Sequence, residues 1–148
     1  MDFSRCLRML DDMIEYYNIK EEVIVQLGNS KYESSHFKVL PFLPEEEYRN
    51  YINRARIVIS HAGSGALFSS LSRGKCVIAV ARLKKYHEMI NDHQTELTRK
   101  LSEEGYIIDG TYSLIDAWKQ IESFRPRKLD ISNTIPQRLE EMIDKWLS

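Results

Sequence analysis

Two short stretches of this 148-residue chain gather the residue types that bind anions and sugar hydroxyls. The first, His61-Ala62-Gly63-Ser64-Gly65-Ala66, directly follows the β-branched run Ile57-Val58-Ile59-Ser60. Its glycines let the backbone approach a ligand closely, and a helix starting inside it offers free amides and a positive dipole end to an anion such as phosphate. Ser64 adds a hydroxyl donor and His61 an imidazole donor. The alternative is a tight strand-to-helix turn without a ligand, because a bare Gly-x-Gly is a weak signal. The second stretch is Glu88-Met89-Ile90-Asn91-Asp92-His93-Gln94. Asp92 and Gln94, two residues apart at a helix start, suit sugar hydroxyls, since a carboxylate offers paired acceptors and an amide a donor with an acceptor. Read otherwise, Asp92 caps the helix and its neighbours are solvated surface. A further reading makes His87, Glu88, Asp92 and His93 metal ligands, but their spacing matches no common site, so neither a metal nor another cofactor is expected. Taken alone, the second stretch does not decide between these.

The elements around these stretches place both of them just after strands. Phe3, Leu7, Leu10, Ile14 and Tyr17 recur at helical spacing and predict an amphipathic opening helix. Val23 to Leu27 reads as a buried strand closed by Gly28-Asn29-Ser30, and Phe37 to Leu40 as a short strand bounded by Pro41 and Pro44. Glu45, Glu46 and Glu47 load the first turn of a helix running to about Arg54. Ile57 to Ser60 is the next strand, Ala66 to Ser72 a helix stopped by Gly74, and Cys76 to Val80 another strand. A basic connection, Arg82 to Tyr86, leads to a helix over Asp92 to Glu104 that ends at Gly105 and feeds the strand Tyr106-Ile107-Ile108. Helices over Leu114 to Ile121 and Ile135 to Trp146 complete the chain, separated by a loop from Phe124 to Asn133. Alternating strands and helices, each strand apolar throughout, predict a doubly wound α/β fold with a mostly parallel sheet. Ligands of such sheets sit outside the C-terminal strand ends, where both stretches fall.

The length fits one domain over residues 1–148 with one core, and the formal net charge of -1 does not point to nucleic acid as a partner. The longest unbroken apolar run, Cys76 to Ala81, is too short to span a bilayer, and the acidic N-terminal residues do not resemble a secretion signal; a cytoplasmic location is expected. Cys6 and Cys76 lack paired or metal-ligand spacing and read as ordinary buried or half-buried thiols.

The stretch Ile59 to Gly65, with Gly74-Lys75, Arg82 to Tyr86 and Glu88 to Gln94, resembles the C-terminal domain family of the family-28 glycosyltransferases. Within it, the chain is similar to small stand-alone catalytic subunits of bacterial capsule and exopolysaccharide synthesis, relatives of the eukaryotic N-acetylglucosaminyltransferase catalytic subunit of the dolichol pathway. Gln26 to Tyr32 and Phe124 to Lys128 extend the likeness over nearly the whole chain. The resemblance implies one Rossmann-like half of a two-domain GT-B transferase, with the loop His61 to Ala66 on the donor diphosphate and Asp92 and Gln94 on the donor sugar. Phe42 and Leu43 match the loop that flanks uracil. It also implies an inverting, metal-independent reaction that stabilises the leaving diphosphate with amides and a helix dipole. Small subunits of this kind work with a membrane-anchored partner that supplies the acceptor side, which would bring this chain to the inner face of the membrane.

Two departures from the family pattern stand out. Ser69 occupies the place of a glutamate that usually holds the ribose hydroxyls, so the ribose contact is expected to be weaker or altered. Family members also open with an extra strand and a Gly-Thr-type loop ahead of the helix near Phe3. Without that strand, through N-terminal shortening or adaptation, a central sheet position stays unfilled. Exposed edges template pairing, so strand exchange, self-association or a marginal fold is expected.

The leading expectation is a subunit that transfers a hexose, with galactose as one candidate, from its UDP carrier to a lipid-linked saccharide in polysaccharide synthesis. His61 and Glu88 are candidates for the general base, with a base from the partner as the alternative. The competing expectation is a non-catalytic nucleotide-sugar-binding or partner-stabilising subunit. An unrelated nucleotide-binding fold fits less well, because the loop lacks the Lys-Ser/Thr ending of a P-loop and the dinucleotide fingerprint. The run Arg82 to Lys85 faces a partner, lipid head groups or solvent.

Overall fold

Helix α1, Ser4–Tyr17, buries Leu7, Leu10, Met13 and Ile14 along one stripe and ends at Asn18, whose left-handed backbone (φ 51°) lets its N–H cap Glu15 O. The computed structural model describes residues 3–26, 32–40, 42–62 and 64–128. After α1 come β1 (Ile24–Gln26), β2 (Lys38–Leu40), α2 (Glu45–Arg54), β3 (Ile57–His61), α3 (Ser64–Ser72) and β4 (Cys76–Val80). A single 3-10 turn (Lys84–Tyr86), α4 (His93–Glu103), β5 (Ile108–Asp109) and α5 (Leu114–Trp118) follow. Left-handed glycines close α3 and α4, Gly74 at φ 69° and Gly105 at φ 84°, as the sequence predicts. The helix expected over Ile135 to Trp146 and the second half of the loop before it lie outside the described residues.

Every described strand pair is parallel, which agrees with the expected α/β class. The strands form two sheets where the sequence predicts one: β1 pairs with β2, and β3, β4 and β5 form a second sheet in that order. Among the described residues no ladder joins β1 to β3. Helix α1 spans the break. Its apolar stripe packs in one cluster with Val23 and Val25 at β1 and with Ile57 and Ile59 of β3.

The single expected core is divided by the larger sheet into two layers. Val77, Ala79 and Ala81 face Leu67 and Leu71 of α3 and Leu97 and Leu101 of α4, while Ile78 and Val80 face α1 and α5. All five residues from Val77 to Ala81 are fully buried, which is why this run lacks any polar alternation. Burial pushes the Cys6 thiol up to about 12 and also raises Cys76, so both thiols stay protonated at neutral pH.

Two boundaries move for identifiable reasons. The strand expected at Tyr106 starts instead at Ile108, because Tyr106 N–H donates to Leu101 O and closes α4. Gly110 N–H then continues the ladder by donating to Ala79 O at 2.8 Å. Helix α5 stops at Trp118 instead of Ile121, and the chain continues through turns in which Gln120 and Ile121 donate to Ala117 O and Trp118 O.

Candidate functional site

Parallel strands bring the ends of β3, β4 and β5 to one edge of the larger sheet. His61, the last residue of β3, stands opposite Val80, the last of β4, so the glycine stretch and Arg82 leave the sheet side by side. Helix α3 begins at Ser64, two residues earlier than expected, and its amino end therefore lies inside the glycine stretch. Ala62 is buried in the α3 layer, and Gly63 lies outside the described residues.

The loop from Ala81 to Glu88 is fixed by a buried ion pair. Glu88, 2% exposed, takes Arg5 Nε on Oε2 at 3.0 Å and Arg5 Nη2 on Oε1 at 3.1 Å. Glu88 Oε1 also accepts Leu83 N–H at 2.9 Å. Arg5 extends the network by donating to Thr111 O at 2.7 Å and Ala81 O at 3.0 Å. One guanidinium thus ties α1 to the loops after β4 and β5. The Glu88 carboxylate is enclosed and engaged, which does not suit the general-base role considered for it.

Asp92 occupies the N-cap position of α4 without capping through its side chain. The Asx contact at this helix start comes from Asn91, whose Oδ1 accepts His93 N–H at 3.1 Å. Asp92 Oδ1 instead accepts Lys84 N–H at 3.0 Å, and Gln94 Oε1 accepts Arg82 N–H at 3.1 Å. Both side chains therefore reach back to the backbone that leaves β4. Since Arg82 N–H can only donate, the amide oxygen of Gln94 points to it and Nε2 is the free donor end. His87, with φ 58°, closes the 3-10 turn, and among the described residues no group of three or more His, Cys, Asp or Glu side chains is placed to hold a metal.

His61 rests its ring against the edge of Phe3, centroids 6.4 Å apart. Burial lowers its pKa and the nearby Arg82 charge adds to the effect, so the ring is neutral at pH 7. Phe42 is 83% exposed and makes no ring contact with a described residue; Leu43 beside it is half-buried. Ser69 is engaged within α3, its Oγ accepting Arg73 Nη1 at 2.9 Å while Arg73 Nε donates to Asn53 Oδ1. The structure thus gathers His61, the start of α3, Asp92 and Gln94 at one edge. No hydrogen bond among described residues joins Phe42, Leu43 or Ser69 to Asp92 or Gln94.

Sequence reading did not single out Arg5, because its partner lies 83 residues away and no local spacing marks such a pair. It treated Arg82 only as one member of a basic run. It also missed an exposed group beside the site: Tyr86, Ile90 and Tyr112 are 49%, 75% and 66% exposed, and Lys85 Nζ lies 5.0 and 5.6 Å from the two tyrosine rings.

A sequence model described as the glycosyltransferase family 28 C-terminal domain matches residues 2–144. The UDP-N-acetylglucosamine transferase subunit ALG13 of Homo sapiens is 27% identical over 128 residues, which are 82% of this chain and 11% of the human protein. The protein of the same description from Candida glabrata is 26% identical over 130 residues, 84% of this chain and 62% of that one. The chain therefore spans less than two thirds of these relatives' lengths. An NMR solution structure of ALG13 shares the fold at a TM-score of 0.52 and 21% identity, over 76% of this chain and 56% of that one.

Proposed function

Because this chain belongs to the glycosyltransferase family 28 C-terminal domain family, we propose that it is the donor-binding part of a glycosyltransferase that uses a UDP-sugar. The observation that carries this reading is the shared sheet edge: α3 begins just after β3, and Asp92 and Gln94 reach back to the backbone that leaves the neighbouring β4. The helix end and glycine-loop amides stabilise the leaving diphosphate, and the free donor of Gln94 with the second oxygen of Asp92 reads the sugar. No metal ion enters this scheme, and the reaction inverts the anomeric centre. Phe42, facing solvent, provides an apolar face for the uracil, with Leu43 beside it. The relatives' description as subunits of a UDP-N-acetylglucosamine transferase puts N-acetylglucosamine beside galactose and other hexoses among the sugars to be tested.

The acceptor side comes from a second, membrane-anchored subunit that presents a lipid-linked saccharide at the cytoplasmic face. Glu88 is held by Arg5, so the base comes from that subunit or from His61, which is neutral as a base must be. Tyr86, Ile90, Tyr112 and Lys85 form an exposed aromatic and basic surface beside the donor edge, suited to the partner or the membrane interface. Co-expression with a membrane-anchored acceptor subunit, followed by assay against a panel of nucleotide sugars, is expected to give transfer that neither chain gives alone. Binding of a UDP-sugar without transfer in the complex would favour the non-catalytic alternative, which the engagement of Ser69 Oγ by Arg73 supports by taking up part of the hydrogen-bonding capacity left for the ribose.

The interrupted sheet leads to a separate expectation. β1 and β3 each pair on one side only among the described residues, and such edges accept a further strand. Strand exchange or self-association should appear in small-angle scattering as a mass above that of one chain. A monodisperse monomer would count against it.

A further inference from the structure

The cations around the larger sheet and its loops differ in what they are already bound to. Arg5 is saturated by Glu88 and two carbonyls, and Arg73 is held by Ser69 and Asn53. Lys75 Nζ donates to Asn53 O and Ala55 O, while Lys84 and Lys85 are exposed. Arg82 is the exception: it is half-buried, its Nε is shielded from solvent without a hydrogen-bond partner, and its side chain forms no ion pair with a described residue. Desolvation lowers its pKa against the opposing pull of Glu88, whose carboxylate is taken by Arg5. A guanidinium held half out of water without an acceptor is a cost that folding alone does not explain.

Its position suggests what the acceptor is. Arg82 follows β4 by two residues, beside His61 at the end of β3, and is near enough to depress the His61 pKa. Its backbone N–H is pinned by Gln94, so the loop cannot drift away without releasing the side chain assigned to the sugar. We propose that Arg82 is the cationic ligand of the donor diphosphate, binding it from the β4 side while the amino end of α3 supplies amides. This deepens the donor reading and rests on it for the identity of the ligand, though the anion site can be tested without it. The planar fork of arginine takes two phosphate oxygens at once, which a lysine there could not do.

The test follows the Arg82 Nε–H resonance of the isotope-labelled full chain by NMR during titration with UDP and, separately, with inorganic pyrophosphate. Both probes should move it, and Arg82→Gln should weaken UDP binding about tenfold or more, with Arg82→Lys retaining part of the affinity. UDP binding that leaves the resonance unmoved, or an Arg82→Gln chain that binds UDP as well as the native one, would overturn the Arg82 assignment and leave the donor reading standing. Pyrophosphate binding at Arg82 without any UDP binding would keep the anion site and remove the donor reading. A resonance that responds to neither probe would overturn the site.

Discussion

Glu88→Ala is expected to remove about 3–5 kcal/mol of folding stability, the range for taking one partner from a buried ion pair. The side chains of Arg5 and Glu88 are only 16% and 3% exposed, so water cannot replace the lost contacts. The substitution strands the Arg5 guanidinium and leaves Leu83 N–H without its acceptor. For a domain whose whole stability is about 5–15 kcal/mol this is a large fraction, and the melting midpoint should fall by roughly 6–20 °C. Arg5→Ala should cost a comparable amount, and the double variant less than the sum, because each single change abandons the other's charge. Urea unfolding of the four proteins measures this. An unchanged midpoint in Glu88→Ala would show that the pair does not hold the loop, and would return Glu88 to consideration as a base.

That pair also marks the limit of what sequence order reveals. Runs such as Ile57 to Ser60 and Cys76 to Val80 are legible because a strand covered on both faces has no choice but continuous apolar character. Gly74 and Gly105 are legible for a similarly strict reason, since each closes a helix at positive φ. Contacts settled by tertiary competition are not. Asp92 is a plausible cap by position, yet Asn91 contacts the helix start and Asp92 holds Lys84 N–H, a choice made by the loop that folds back beside it. The division into two sheets is not legible, because apolar strands read alike whether they share a sheet or not, and the spacing of the α1 stripe does not show that it packs on strands of both. In the candidate site, residue type and spacing mark the glycine stretch and the Asp-x-Gln pair as candidates, and the family resemblance assigns them to the donor. Their convergence depends on register, because it is the pairing of His61 with Val80 that sets the α3 amino end beside Arg82 and hence beside Gln94.

The dual role of Gln94 makes it the most informative position in the donor reading. Its Oε1 holds Arg82 N–H, and its Nε2 is the end left for a sugar oxygen, so truncation removes a loop contact and a ligand contact together. Gln94→Ala should therefore weaken UDP-sugar binding by about 10- to 100-fold, the range for losing one or two hydrogen bonds at a desolvated site. His87→Ala, at an exposed residue outside the pair, should bind as the native chain does. Gln94→Glu separates the two roles. It keeps an acceptor for Arg82 N–H but exchanges the amide donor for a carboxylate oxygen, so the loop should stay in place while the sugar contact is lost. Calorimetric titration with UDP and with UDP-sugars reads the difference: in Gln94→Glu the new carboxylate beside Arg82 lowers the affinity for UDP and UDP-sugar alike, and the added affinity due to the sugar should disappear. Equal loss of UDP and UDP-sugar binding in both variants would make Gln94 a positioning residue for the Arg82 loop alone. No loss in either would remove it from the site, and the sugar would then have to be read by Asp92 or by the partner subunit.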